Sequence, residues 1–271
     1  MDPITIADTE VPALGFGTAG MDTDEERYDA ISAALDAGYR HIDTAQMYDS
    51  ESAVGAAIAD SGIDREELFV TTKLDGGNRD HESVVDSTYE SLTRLDTDYV
   101  DLLLIHMPDQ EPSHEETLDA MNELVAEDVV KHIGVSNFSV EETKNAIEHS
   151  SAPILTNQVE YNLAERQDDL LSFCLDEEVM LTAYSPIKLG DRLEDDVVQG
   201  IADTHGKTPR QVAIRWLLQQ PSVSTIPRSS NPEHVRENYD VFDFELTDEE
   251  MRRLFATEGD LDDALASKLG L

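Results

Sequence analysis

The chain has 271 residues, 39% of them hydrophobic, and its 59 acidic residues against 19 basic ones give a formal net charge of -40 at pH 7. This excess of acid repels nucleic acid, and no run of 18 apolar residues predicts a membrane span. A single cysteine, Cys174, excludes an intrachain disulfide, and the amino terminus lacks the pattern of a signal peptide. A reducing cytoplasm is therefore expected.

Short apolar runs typical of β-strands alternate with helical patterns along nearly the whole chain. The strands are predicted at 14–18, 41–45, 68–73, 100–106, 131–135, 154–160, 180–184 and 223–227. The helices are predicted at 24–37, 51–61, 81–95, 115–127, 140–149, 166–178, 195–205, 208–219, 232–239 and 247–256.

This order predicts an α/β fold, a (β/α)₈ TIM barrel that forms a single domain over residues 1–271. An open, doubly wound sheet is the alternative. The count of eight strands, and their apolar character, which suits a sheet covered on both faces, favour the closed barrel. Residues 3–13 precede the first strand, and we expect them to form a hairpin that plugs the barrel bottom.

Polar residues end every predicted strand, at the side where such barrels carry their active sites. Four of them are titratable and stand at or just after successive strands: Asp43, Tyr48, Lys73 and His106. Lys73 beside Tyr48 would lower the pKa of the phenol, and Asp43 would hold the ammonium in place. A neutral His106 could orient a substrate oxygen. The set indicates protonation of an oxygen that becomes negative, as in reduction of a carbonyl group.

Three alternatives concern the same region. Lys73 alone could form a Schiff base, as in an aldolase. His41 and Asp43 point to one face of a strand and could bind a metal, but no further ligands at suitable spacing support them, so no metal is expected. Cys174 lies on a helical pattern and is interpreted as a buried packing residue.

Residues 15–20, GFGTAG, match the G-x-G-x-x-G fingerprint of dinucleotide-binding folds. That fingerprint needs a helix that begins within the glycines, whereas residues 21–23 intervene here. We interpret Gly17 and Thr18 as the tip of the first barrel strand, where the backbone approaches a ligand closely.

The sign of the charge reverses between residues 207 and 236, which hold five basic residues and one acid, Glu233. An anionic group is therefore expected to bind near Arg228 and Ser229, where the following helix offers free N–H groups at its start. Arg210 and Arg215 could instead face solvent or neighbouring helices, without affecting the expectation for Arg228.

Together these motifs resemble the aldo-keto reductase superfamily, of prokaryotic type, along nearly the whole chain. The matching segments are LGFGT (14–18), GYRHIDTA (38–45) with Tyr48, TK (72–73), DLLLIH (101–106), HIGVSNF (132–138), NQ (157–158), YSP (184–186) and IPRS (226–229). The resemblance implies a barrel that binds extended NADP(H) without a Rossmann fold. It also implies a catalytic tetrad of Asp43, Tyr48, Lys73 and His106.

The same resemblance implies that hydride passes from nicotinamide C4 to the carbonyl carbon while Tyr48 protonates the oxygen. Tyr184 would stack on the nicotinamide. The other implied cofactor positions are Gly17, Thr18 and Ser185 near strand ends, Ser136, Asn137 and Gln158 at the carboxamide, Arg228, Ser229 and His234 at the 2′-phosphate, and Glu237 and Asn238 at the adenine.

Three residues depart from the family's usual pattern. His234 stands where arginine is usual, which leaves NADH or dual use open beside NADPH, although Arg228 offers a bidentate fork for phosphate. Met107 and Asp75 stand where tryptophans are common, so a wider and more polar substrate pocket is expected.

The sequence and this resemblance thus predict a cytoplasmic, NADPH-dependent oxidoreductase that reduces a small aldehyde or ketone, with no nucleic-acid or membrane partner. The resemblance, and not the residues themselves, implies a monomer. The competing class is a cofactor-binding regulatory protein that keeps the fold with little turnover.

The net charge also predicts instability in dilute buffer, and hence a halophilic source with a very salty cytoplasm. At 1 M salt the screening length falls to about 3 Å, so repulsion among surface carboxylates becomes short-ranged. We expect the melting temperature to rise between low and multimolar KCl. Circular dichroism during heating measures it, and an unchanged value would contradict the expectation.

Overall fold

The computed structural model describes residues 3–108 and 113–271. Its first elements are strands β1 (Pro3–Ile6) and β2 (Thr9–Pro12), which pair antiparallel as a hairpin. Apolar side chains of the hairpin pack with residues from the lower part of the barrel. This cluster contains Ile6, Val11, Phe69, Leu102, Leu104, Leu155 and Met180. The predicted hairpin at the barrel bottom is confirmed.

Eight parallel strands, all within the described residues, form one sheet in which neighbours in sequence are neighbours in space. They are β3 (Phe16–Gly17), β4 (His41–Asp43), β5 (Phe69–Leu74), β6 (Val100–Ile105), β7 (Val130–Ser136), β8 (Ile154–Glu160), β9 (Met180–Tyr184) and β10 (Val223–Thr225). A parallel bridge between Leu14 and Thr225 joins the first strand of this sheet to the last. The predicted (β/α)₈ barrel is confirmed, and the open-sheet alternative is wrong.

Helices cover the outside of the barrel. They are α1 (Asp24–Ala37), α2 (Glu51–Ser61), α3 (His81–Leu95), α4 (His114–Ala126), α5 (Val140–His149), α6 (Asp168–Asp176), α7 (Asp196–His205), α8 (Pro209–Leu218), α9 (Pro232–Tyr239), α10 (Asp248–Phe255) and α11 (Asp263–Leu269). Capping boxes at Ser139, Thr208 and Thr247 fix three of their starts. Helix α11 was not predicted, because seven residues give too short a periodic signal.

No helix of the described residues is long and apolar enough to cross a membrane. Cys174 on α6 is buried in the apolar core, and burial raises the pKa of its thiol to about 12. A thiol in this environment stays protonated, so its interpretation as a packing residue is confirmed.

The interior of the barrel contains buried polar side chains that bond to one another. His41 Nε2 lies 3.1 Å from Thr71 Oγ1, and Thr156 Oγ1 lies 2.8 Å from Thr182 Oγ1. Ser224 donates to the same Thr182 hydroxyl at 3.1 Å. Pairing of this kind offsets the cost of removing polar groups from water. These hydrogen-bonded side chains lie inside the barrel, below the carboxyl ends of the strands.

Replacement of two helical glycines by alanine should change the free energy of unfolding in opposite directions. A Cβ at Gly55 in α2 would stand 2.5 Å from the Leu95 carbonyl oxygen, whereas a Cβ at Gly200 in α7 would meet nothing within 4 Å. We expect Gly55→Ala to lower the free energy of unfolding by about 1–3 kcal/mol, because α2 and the end of α3 must separate. Gly200→Ala should raise it by about 0.5–1 kcal/mol, because alanine restricts the unfolded chain. Chemical denaturation of both variants in one high-salt buffer measures the signs, and equal signs would contradict this packing.

Candidate active site

A cavity of about 680 Å³ opens at the carboxyl ends of the barrel strands. The predicted site residues in its lining are Gly17, Asp43, Tyr48, His106, Ser136, Asn137, Gln158, Tyr184, Ser185 and Arg228. The lining is completed by Ala19, Gly20, Met107, Pro186, Ile187, Lys188, Arg210 and Ile226. Residues far apart in sequence therefore meet around one space that is large enough for a small-molecule ligand.

Tyr48 is held by a short 3₁₀ turn, Gln46–Tyr48, that follows β4. The Gln46 side chain fixes this turn to the segment after β5 and to helix α3. Its Oε1 accepts the Asp75 backbone N–H at 2.8 Å, and its Nε2 donates to Ser87 on α3 at 3.1 Å. The turn is thus anchored on both sides, which restricts where the phenol can lie.

A buried ion pair lies beside the phenol. Lys73 Nζ is 2.5 Å from Asp43 Oδ1 and also donates to the Thr44 carbonyl at 2.8 Å. Gln158 Nε2 donates to the other carboxylate oxygen of Asp43 at 2.8 Å. Lys73 does not line the cavity; its Nζ lies 5.0 Å from the centre of the Tyr48 ring. Asp43, Tyr48 and Lys73 therefore lie together as predicted. The Lys73 ammonium lies near the Tyr48 ring but outside the cavity lining.

The pKa of Tyr48 is raised, because burial of the phenol outweighs the opposing charge of Lys73. Our prediction from the sequence that Lys73 would lower this pKa below its ordinary value is wrong in its net direction. Lys73 has the expected effect, but it only reduces the rise that burial causes. Tyr48 consequently carries its proton at neutral pH, as a proton donor must.

His106 faces the same hydroxyl, with Nε2 at 3.3 Å from Tyr48 Oη. Burial, with a further contribution from Lys73, lowers the pKa of His106 to about 4, so the ring is neutral at pH 7. Its Nδ1 is buried and has no hydrogen-bond partner among the described residues. Because an unpaired buried N–H is rarer than an unpaired acceptor, we assign the ring proton to Nε2, which faces Tyr48.

Amide and hydroxyl groups form the wall next to His106. Ser136 Oγ donates to the Gln158 carbonyl at 2.8 Å, and Asn137 Nδ2 donates to the His106 carbonyl at 3.1 Å. Asn137 has a positive φ of 63°, a conformation that asparagine tolerates well. Tyr184 donates its hydroxyl to Asn137 Oδ1 at 2.9 Å, so the ring and the amide are fixed together.

Arg228 lies at another part of the rim, after β10. Its Nη2 lies over Gly20, where an added Cβ would be 3.4 Å away. Ser229 is close in sequence, and its hydroxyl accepts the Asn231 backbone N–H at 3.1 Å. The predicted positions outside the lining are Thr18, Lys73, Ser229, His234, Glu237 and Asn238. Thr18 instead donates to the Asp43 carbonyl at 3.1 Å and so supports the end of β4.

Sequence reasoning missed two basic lining residues, Lys188 and Arg210. The charge reversal after residue 207 was the available signal for Arg210, whereas no sequence signal singled out Lys188. Met107 lines the cavity as expected and is 48% exposed, but Asp75 is not among the lining residues.

The remaining sequence interpretations concern a metal and the glycine motif. In residues 3–108 and 113–271, no group of three or more His, Cys, Asp or Glu side chains is arranged to hold a metal ion. Helix α1 begins at Asp24, beyond the glycines of 15–20, so the resemblance of that segment to a Rossmann fingerprint was rightly set aside.

Comparison with known proteins gives one consistent match. The model of the aldo/keto reductase family matches residues 13–258. The glyoxal reductase of Bacillus subtilis is 37% identical over 251 residues, which are 93% of this chain and 90% of that protein. A putative 2,5-diketo-D-gluconic acid reductase B of known structure superposes with a TM-score of 0.92 at 39% identity, covering 97% of this chain and 93% of the other. A Bombyx mori aldo-keto reductase in complex with NADP gives 0.87 at 32% identity, covering 94% and 92%.

The depressed pKa of His106 should couple stability to pH. Its value of about 4 in the folded chain lies below the 6.5 of an ordinary histidine, so the unfolded chain binds the proton first as the pH falls. The free energy of unfolding should therefore decrease between pH 6.5 and pH 4. His106→Gln removes this contribution, so its decrease should be less steep. Urea denaturation across this range measures the difference between the two curves, and parallel curves would contradict a His106 that stays neutral in the folded chain.

Proposed function

The chain belongs to the aldo/keto reductase family of oxidoreductases, and on that premise we propose that it reduces an aldehyde or ketone to the alcohol, with NADPH supplying hydride from nicotinamide C4 and Tyr48 supplying the proton. The observation that carries the proposal is the meeting of Tyr48 and His106 beside the buried pair of Lys73 and Asp43. NADP in the Bombyx mori relative supports the choice of cofactor.

The cavity fits such a cofactor in its chemistry. Ser136, Asn137 and Gln158 offer the donors and acceptors that a planar carboxamide needs, and we assign them to it. Tyr184, fixed by its bond to Asn137, is assigned to stacking on the nicotinamide. Arg228 is assigned to an anionic group of the nucleotide, since it lines the cavity and carries a permanent charge.

Proton transfer depends on the change in charge at the substrate oxygen. Tyr48 holds its proton in the resting site, and an alkoxide that forms within hydrogen-bond reach is far more basic than a phenolate, so the proton moves to it. The Lys73 ammonium then stabilises the phenolate that remains, and Asp43 keeps the ammonium in place. His106 donates its Nε2 proton as a hydrogen bond to the same oxygen and so orients the carbonyl group.

The preference for NADPH over NADH is assigned to Arg228 and Ser229, with His234 nearby on α9. A guanidinium offers two parallel donors to a 2′-phosphate, which NADH lacks. Ser229 adds a hydroxyl next in sequence. Glu237 and Asn238, on the same helix as His234, are assigned to the adenine.

The net charge of -40 supports a further part of the proposal, a monomer that works in a very salty cytoplasm on a small carbonyl compound. The name of the Bacillus subtilis relative suggests glyoxal as a first substrate for assay.

Replacement of the proposed proton donor tests the mechanism. Tyr48→Phe should lower kcat by about 10²–10⁴-fold, because the ring keeps its shape but has no proton to give. NADPH binding, followed by fluorescence, should change little. The matched control is Tyr89→Phe on α3, whose hydroxyl donates to Glu127 on the outer surface; it should keep the wild-type kcat.

The assay follows NADPH absorbance with glyoxal and a panel of small aldehydes and ketones in multimolar KCl. A Tyr48→Phe enzyme as active as the wild type would exclude the acid role. A wild-type protein that binds NADPH but reduces none of the panel would favour a regulatory, cofactor-binding protein.

A further inference from the structure

The lining of the cavity has the opposite charge to the chain as a whole. The chain has 59 acidic and 19 basic residues, yet the lining contains Lys188, Arg210 and Arg228. Its one carboxylate, Asp43, is already paired with Lys73. A local excess of positive charge in so acidic a protein attracts an anion to this cavity.

These three cations occupy one side of the barrel rim. Lys188 follows β9, Arg210 is the second residue of the helix that leads to β10, and Arg228 follows β10. In the closed ring of strands, β6, which His106 follows, lies opposite β10, and β4, which the turn of Tyr48 follows, lies two strands from β10. The cavity therefore has a proton-donating side around Tyr48 and His106, and a cationic side.

Salt bridges distinguish Arg210 from other basic residues nearby. On the same helix, Arg215 pairs with Glu245 at 3.8 Å, and Lys207, just before it, pairs with Asp240 at 2.9 Å. Within the described parts of the chain no carboxylate forms a salt bridge with Arg210. It is exposed at the cavity with its full charge.

Lys188 has one carboxylate partner, Glu160, among the salt bridges of the described residues. Its Nζ lies 2.8 Å from Glu160 Oε1 at the end of β8, an exposed contact that a stronger anion can replace. A hydrogen bond to Glu160 raises the pKa of Lys188, so the ammonium stays charged. It stands four residues after Tyr184, which is assigned to the nicotinamide.

We propose that Lys188 and Arg210 bind the diphosphate of the dinucleotide, while Arg228 serves its 2′-phosphate. This inference rests on the proposed function, because it needs the cofactor in the cavity. The diphosphate joins the nicotinamide half to the adenosine half. Lys188 follows the residue assigned to the first half, and Arg210 opens the helix leading to the strand before Arg228, assigned to the second. Ammonium and guanidinium groups form short, charge-assisted hydrogen bonds to phosphate oxygens.

The proposal has a signature that separates it from 2′-phosphate recognition. NADPH and NADH share the diphosphate, so loss of Lys188 or Arg210 must weaken the binding of both coenzymes by the same factor. Loss of Arg228 must weaken the binding of NADPH more than that of NADH.

Fluorescence titration of both coenzymes at one fixed KCl concentration tests this. We expect Arg210→Met and Lys188→Met each to raise both dissociation constants by roughly tenfold, the range for loss of one charged hydrogen bond. Arg210→Lys should recover most of the affinity, because it keeps a cation at the same place. The control is Arg215→Met, which removes the same charge from the same helix outside the cavity; it should bind both coenzymes as the wild type does.

Three results would overturn the proposal or its premise, and they are distinguishable. Arg210→Met and Lys188→Met variants that bind like Arg215→Met overturn the diphosphate assignment. A loss of affinity for NADPH alone assigns Arg210 to the 2′-phosphate and overturns it too. A wild-type protein that binds neither coenzyme and reduces no aldehyde removes the proposed function itself. Melting temperatures in the same salt verify that the variants are folded. If Arg210→Met melts well below the wild type, the dissociation constants of Arg210→Lys and Lys188→Met provide the test.

Discussion

The buried ion pair between Lys73 and Asp43 is the interaction on which the rest of the site depends. Two charges removed from water persist only where each has further partners. Asp43 has them on both carboxylate oxygens, from Lys73 and Gln158, and Lys73 also reaches the Thr44 carbonyl. The fixed ammonium then acts on both of its neighbours. It limits the rise that burial causes in the pKa of Tyr48, so the phenol keeps its proton but gives it up more readily, and it adds to the fall in the pKa of His106, so the ring stays neutral.

Barrel closure gives this pair its third partner. Asp43 ends β4 and Lys73 lies on the neighbouring β5, whereas Gln158 lies on β8, which reaches Asp43 only when the sheet curls on itself. The apolar strands that drive the fold thus also deliver the polar ends of those strands to one interior space. Below these charged side chains, the hydroxyls of Thr156 and Thr182 form a hydrogen bond to each other. The polar groups under the ion pair therefore have hydrogen-bond partners.

Much of this arrangement could be predicted from the sequence because strands and their ends leave local signals. Apolar runs between helical patterns gave the eight strands, and the polar residue closing each run gave Asp43, Lys73 and His106. The predictions that were wrong or missing concern properties that depend on three-dimensional surroundings or on very short elements. The net pKa of Tyr48 follows from its burial, which spacing along the chain does not encode. Arg210 lines the cavity because of where the start of α8 lies on the barrel, and helix α11 is too short to show a period.

The cationic side of the cavity has a consequence for how the protein responds to its ionic environment. We expect potassium chloride to stabilise the fold by screening the surface carboxylates, while the same ions compete with a phosphate group for Lys188, Arg210 and Arg228. Stability and ligand affinity should therefore depend on salt with opposite signs. Activity is then expected to have an optimum of ionic strength, at which the fold is stable and the cavity still attracts its anion.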